Sequence, residues 1–332
     1  MFGYFTKKCY FCKVIYMHRQ KMKRTKRNTY LWQLLATLLL LATPGMFSAC
    51  SSDDTNTTPA NTPDSEIRFN PSVWQMMEGT RATFYTDAQL QSEGFMCAAY
   101  NAGTTTEYIS EVNVNWDGDS WEFEGGKRYW PESGSLDFFA YSLHETLAYI
   151  SGLTYTTARI PQFTCNDLPT TLTPTDATKE FVWALTTGQN KAGQGASGVA
   201  MTFQHPFARV KFKLSAASGS NVIVNRITIP NVYCDGTYTY GTGWSSWTDD
   251  DQDLIISGTP ATNDDIFYLV IPNNYGTKTL TVNATWSDWG TATKDISANV
   301  DFNWEAGFSY TYTLTLSKEA LIVDVNKYTE QW

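Results

Sequence analysis

The side chains that most often carry catalysis are scarce. His18, His144 and His205 are the only histidines in 332 residues. A Ser-His-Asp or Cys-His arrangement would need His144 or His205, and no Gly-x-Ser-x-Gly elbow accompanies either. His205 precedes Pro206 at the entrance to an expected strand, where a structural imidazole is favoured over a catalytic one. Cys9 and Cys12 stand two residues apart, but no second Cys or His pair follows at zinc spacing. Cys97, Cys165 and Cys234 are far apart and odd in number, so buried free thiols are expected rather than a disulfide framework.

Gly193-Gln194-Gly195-Ala196-Ser197-Gly198 spells G-x-G-x-x-G. The residues after it, 199–203, read as a strand, whereas pyrophosphate binding needs a helix N-terminus there, so a flexible loop is expected. The acidic run Asp249-Asp250-Asp251-Gln252-Asp253 lacks the Gly and closing Glu of an EF-hand loop. Carboxylates are too plentiful, at 33, for the sequence to pair two across a glycosidic bond. Trp244, Trp247, Trp286 and Trp289 lie near turns, where exposed rings could stack on sugars, although packing in a core or hairpin is favoured. No catalytic residue, metal site or cofactor is expected.

Strand signals position all these residues. From residue 67 onward no stretch sustains a 3.6-residue apolar period for three turns, which makes the body all-β. Val112, Val114 and Trp116 run into Asp117-Gly118-Asp119-Ser120 and out through Trp121 and Phe123, a hairpin with positive-φ turn residues. Residues 136–141 suit a buried strand. Val210, Phe212 and Leu214 alternate with Arg209, Lys211 and Lys213, which predicts one inward face and one solvent face. Strands are also expected at 222–229 with a bulge, at 266–271, along Leu280, Val282, Ala284 and Trp286, and along Tyr310, Tyr312, Leu314 and Leu316. Short strands with turns at such spacing suggest β-sandwiches.

Charge separates the N-terminus from the rest. Nine of the 24 Lys and Arg fall in residues 1–49, which hold no Asp or Glu, so the remainder carries 15 basic against 33 acidic side chains, a net of −18. That body would be repelled by nucleic acid. The basic cluster of Lys21, Lys23, Arg24, Lys26 and Arg27 precedes an apolar run at 31–42 and then Phe47-Ser48-Ala49-Cys50, the order of a bacterial export signal. The run is shorter than the ~20 residues of a membrane span. It reads as a lipoprotein signal at 22–49 with Cys50 as the lipidated residue, preceded by a start-site extension at 1–21. Residues 50–66 read as a polar tether.

Five segments occur in order along the body: Thr80-Arg81-Ala82-Thr83, Arg128-Tyr129-Trp130-Pro131, Leu136-Asp137-Phe138-Phe139-Ala140-Tyr141-Ser142, Phe203-Gln204-His205-Pro206-Phe207-Ala208-Arg209-Val210-Lys211-Phe212 and Trp304-Glu305-Ala306-Gly307-Phe308-Ser309-Tyr310-Thr311-Tyr312-Thr313-Leu314. Together they resemble the fimbrillin family, the lipoprotein pilins of type V pili in anaerobic Gram-negative bacteria. The resemblance implies two transthyretin-like β-sandwich domains in tandem and incorporation into a fimbrium at the cell surface. It further implies that an Arg-specific protease removes an N-terminal strand and that a neighbouring subunit fills the groove left behind. Carried onto this chain, Arg81-Ala82 is the first candidate bond and Arg68-Phe69 the second.

The expected layout places an N-terminal sandwich at 67–198 and a C-terminal one at 199–332, divided after the Gly-, Thr- and Gln-rich run 186–198. Residues 320–332 suit a donor strand, with Leu321, Val323 and Val325 on one face and Ile322 opposite; a final strand of its own sheet fits equally well. The expected partners are other pilin subunits, the processing protease, outer-membrane lipid through Cys50, and host or microbial surface ligands. The alternative is a monomeric carbohydrate-binding surface lipoprotein that uses exposed Trp.

Overall fold

The computed structural model describes residues 65–73, 86–142, 147–155, 161–173, 180–195, 197–216, 221–248, 252–258, 267–287, 292–317 and 319–328. They form an all-β protein. The first elements are β1 (Phe69–Val73), α1 (Asp87–Glu93), β2 (Phe95–Asn101), β3 (Glu107–Trp116), β4 (Trp121–Phe123) and β5 (Leu136–Ser142). Next come β6 (Ile150–Tyr155), β7 (Pro161–Cys165), β8 (Thr171–Leu172), β9 (Trp183–Gln189), the short helix α2 (Lys191–Gln194) and β10 (Val199–Phe203). Then follow β11 (Ala208–Ala216), β12 (Val222–Val232), β13 (Asp235–Thr239), β14 (Gly243–Thr248) and β15 (Gln252–Ser257). The last are β16 (Tyr268–Val270), β17 (Asn274–Trp286), β18 (Ala292–Asn303), β19 (Ser309–Leu316) and β20 (Leu321–Tyr328).

A first core lies between the sheet β4-β3-β2-β5-β9 and the parallel pair β1-β10. The expected hairpin is β3-β4, closed by Trp116 opposite Trp121. Its turn is locked by Asp117, whose Oδ1 accepts the N–H of Asp119 at 2.8 Å and of Ser120 at 2.7 Å. Those bonds favour the carboxylate and hold Asp117 below its ordinary pKa. Helix α1 starts at a capping box between Thr86 and Gln89 and buries Leu90.

Strand β5 is buried at every position because both its faces are covered. Leu136, Phe138 and Ala140 fill the first core, while Phe139 and Tyr141 point into a second. That second core is roofed by the sheet β14-β13-β7-β6 and includes Phe163, Phe181, Trp183, Phe207 and Trp244. A third core joins the sheets β16-β11-β19-β20 and β18-β17-β12-β15-β8. Its inward residues keep the expected alternation: Val210 and Phe212, Leu280, Val282, Ala284 and Trp286, and Tyr310, Tyr312, Leu314 and Leu316. The bulge expected near 222–229 falls between Val224 and Arg226.

Two features differ from the sequence expectation. Residues 186–195 are taken up by the end of β9 and by α2, residues 197–198 lead into β10, and β10 packs in the first core beside β1. The passage out of that core therefore comes after Phe203 rather than at 198. Exchange also runs the other way, since β7 pairs with β13 and β8 pairs with β15. Short sequence-distant pairings of this kind leave no local trace, because each strand reads the same whichever sheet receives it.

The second difference concerns β11. Arg209 and Lys211 do not face solvent but are buried. The Phe267 ring lies 4.3 Å from the Arg209 guanidinium carbon and 4.7 Å from Lys211 Nζ, and Arg209 Nε donates to Ser309 Oγ. A ring face and a hydroxyl let both cations tolerate burial that alternation alone would not predict.

Candidate assembly site

The strand expected to leave is seated in detail. Phe69 meets the rings of Phe95, Phe123 and Phe138 at 5.8, 5.2 and 5.6 Å between centroids, and Ile67 and Val73 are buried alongside. On its backbone side β1 runs parallel to β10, Phe69 opposite Val199 through Val73 opposite Phe203. At the far end Val73 N–H donates to Asp87 Oδ1 at 2.6 Å, tying the strand to the first turn of α1.

The G-x-G-x-x-G run has a packing role here that its composition does not announce. Gln194, buried in α2, accepts the N–H of Arg68 at Oε1, 2.8 Å away, and donates from Nε2 to the carbonyl of Glu66 at 2.9 Å. Gly198 has φ +92°, and a Cβ there would lie 2.7 Å from the Arg68 carbonyl. Only a glycine lets the two backbones approach so closely. A glycine directly before a strand was the available sequence signal for this contact.

At the other terminus, residues 321–328 form β20, the edge strand beyond β19, with Leu316 opposite Leu321 and Tyr312 opposite Val325. The turn is drawn tight by Ser317, which donates its N–H to the Ala320 carbonyl at 2.9 Å and accepts Ala320 N–H at Oγ, 3.0 Å away. Leu321 is buried and Val323 half-buried, whereas Ile322 is 59% and Val325 42% exposed. The expected processing residues Arg81 and Ala82, Cys50 as the expected lipidation residue, and His144 lie outside the described residues.

The remaining candidates for chemistry are absorbed into packing. His205 Nδ1 lies 2.8 Å from Glu180 Oε1, with both side chains buried. Cys97, Cys165 and Cys234 are buried free thiols, and burial pushes the thiols of Cys97 and Cys165 far up. Trp244 and Trp286 are buried, Trp247 is exposed, and Trp289 is outside the described residues. Among the described residues no group of three or more His, Cys, Asp or Glu could hold a metal ion, and no helix is long and apolar enough to cross a membrane.

This architecture is shared with solved structures. A fimbrial protein from Bacteroides vulgatus superimposes with a TM-score of 0.59 at 17% identity, over 80% of this chain and 99% of that one. A cell adhesion protein from Bacteroides uniformis gives 0.52 at 16% identity, over 81% and 99%. At such identities the likeness is one of fold. No curated protein matches the sequence. The profile of the family described as fimbrillin-like matches residues 80–332, and on that match the chain belongs to the fimbrillin-like family.

Proposed function

We propose that the chain is a subunit of a surface fimbria, carried to the outer membrane as a lipoprotein on Cys50 and joined to its neighbours by strand exchange at the seat of β1. The observation that carries this reading is the seat itself: β1 fills the first core with side chains, yet among the described residues it pairs with β10 alone. Arg81 follows β1 in the sequence, so a cut at Arg81-Ala82 separates the whole strand from the body. A cut at Arg68-Phe69 leaves β1 attached, which favours the first bond.

Loss of β1 would uncover the rings of Phe95, Phe123 and Phe138 together with one side of the β10 backbone. An extended segment from another subunit satisfies both needs at once, by β-augmentation. Residues 320–332 are the candidate donor. β20 is held by β19 on one side only, and its donation would give up its antiparallel ladder with β19, which the ladder to a neighbour's β10 replaces, together with the burial of Leu321.

The test is the N-terminal sequence of protein recovered from the native cell surface, with boiled and unboiled samples run side by side. A start at Ala82 and an oligomer ladder that collapses on boiling are expected. A lipidated start at Cys50 with monomer only overturns assembly by strand exchange.

A further inference from the structure

Among the described residues only Asp167, Asn231 and Ser246 combine a side chain with a positive φ, at 54°, 55° and 53°. Each is linked to the contact between Trp247 and Tyr233: Ser246 precedes Trp247, Asn231 lies two residues before Tyr233, and Asp167 is bonded to Asp235, which stands opposite Thr248. Ser246 sits in the bulge of the β13-β14 pair, where the register shifts between Asp235 and Thr237. Asp167 donates its N–H to Asp235 Oδ1 at 2.7 Å. Asn231 sits in a second register shift, between Ile229 and Val232, two residues before Tyr233. Asp and Asn adopt left-handed backbone more readily than other side-chain-bearing residues, and a bulge re-aims the side chains beside it.

The side chain aimed here is Trp247. The bulge brings it to the same side of β14 as Trp244, over Gly236, where an added Cβ would stand 3.1 Å from the Trp244 ring and 3.5 Å from Trp247 Cδ1. Tyr233 stacks on Trp247 with centroids 5.8 Å apart and planes 29° from parallel. Behind it Tyr275 contacts Tyr233 at 5.7 Å and donates its hydroxyl to the Ile271 carbonyl at 3.0 Å, backing the stack against the core. Trp247 nevertheless remains 37% exposed.

We propose that this corner binds a neutral carbohydrate, with a pyranose ring stacked on Trp247 and its hydroxyls bonded to the surrounding carboxylates, amide and hydroxyl. The ring face is electron-rich and attracts the C–H face of a sugar. Thr248 follows Trp247 and stands opposite Asp235, to which Asp167 is bonded, and Asn231 lies two residues before Tyr233; Asp167, Asn231 and Thr248 are exposed and Asp235 half-buried, so polar groups are at hand beside an apolar platform. An acidic rim disfavours phosphate, sulfate and nucleic acid. A broad protein interface is disfavoured too, because among the described residues the other exposed large apolar side chains, Tyr108, Ile223, Ile322 and Val325, lie on β3, β12 and β20. This binding does not depend on fibre assembly.

The test titrates the full chain with cellohexaose, laminarihexaose, xylohexaose and mannohexaose, with a heparin hexasaccharide as the anionic control, read by Trp fluorescence and calorimetry. At least one neutral hexasaccharide is expected to bind saturably, with Trp247→Ala weakening it roughly tenfold or more and Trp247→Phe less. Tyr108→Ala, on β3, should leave binding unchanged, and circular dichroism checks that each variant is folded. No saturable binding to any neutral hexasaccharide, preference for the anionic one, or binding indifferent to Trp247→Ala overturns the proposal. So does a Trp247→Ala variant that alters only the oligomeric state, which would make the corner a contact between copies.

Discussion

Gln194 bonds the backbone of Arg68 as a neighbouring strand would. Its Oε1 accepts the Arg68 N–H at 2.8 Å while its Nε2 reaches the Glu66 carbonyl at 2.9 Å, across more than 120 residues of sequence. One side chain thus continues the β1-β10 ladder beyond Val199.

Replacing it tests whether β1 is part of the folded unit. Gln194→Ala leaves two main-chain groups without these bonds, and a loss of about 2 kcal/mol is expected in urea denaturation of the intact chain. In protein cut after Arg81 the same substitution should cost almost nothing, since its partners depart with β1. An equal cost in both forms would mean that Gln194 stabilises α2 alone.

Gly198→Ala addresses the same seat through sterics. The added Cβ would meet the Arg68 carbonyl carbon and oxygen at 2.7 Å, on a backbone at φ +92°. Strain of about 2 kcal/mol or more follows. Amide hydrogen exchange should accelerate across β1 before it does across β2 or β5. Uniform acceleration in all three strands would place the damage in the whole core instead.

Much of the framework was legible in the sequence. The Asp117-Gly118 turn, the buried strand at Leu136, and the inward faces of β11, β17 and β19 follow from local pattern, because period and turn chemistry act within a few residues. What was not legible depends on distant partners. Nothing near Arg209 or Lys211 announces Phe267, Gly198 before β10 signals a close approach without identifying the backbone of Arg68, and the pairing of β8 with β15 has no local sign. For residues 320–332 the pattern fits a donor or an edge strand alike, since both require an extended segment with one apolar face.

The buried pair of Glu180 and His205 is structural on the geometry given above. Glu180→Ala withdraws the carboxylate from a buried imidazole and should cost about 2–3 kcal/mol by urea denaturation. Glu180→Gln, which can still bond the ring, should cost less. Equal stability of the wild type and both variants would show that the contact contributes nothing net.

Alkaline pH should unfold the protein through its buried phenols and thiols. Burial pushes Tyr238 and Tyr310 up to about 12, and raises Tyr149, Tyr275, Tyr312, Cys97 and Cys165 as well. In the unfolded chain the same groups ionise at their ordinary values, about 8.5 for Cys and about 10 for Tyr. Between the unfolded and folded values the unfolded state holds fewer protons, so stability falls as pH rises. The stabilisation is complete below about pH 8 and is lost progressively as pH climbs towards the folded values. Urea midpoints should therefore be nearly flat from pH 7 to 8 and drop with increasing slope above about pH 9 as thiol and then phenol ionisation joins. Tyr absorbance should report the same event: a native titration delayed relative to denatured protein, then a cooperative rise at the pH of unfolding. Native Tyr titrating in full at about pH 10 without unfolding would show these rings to be open to water, contradicting the packed second and third cores.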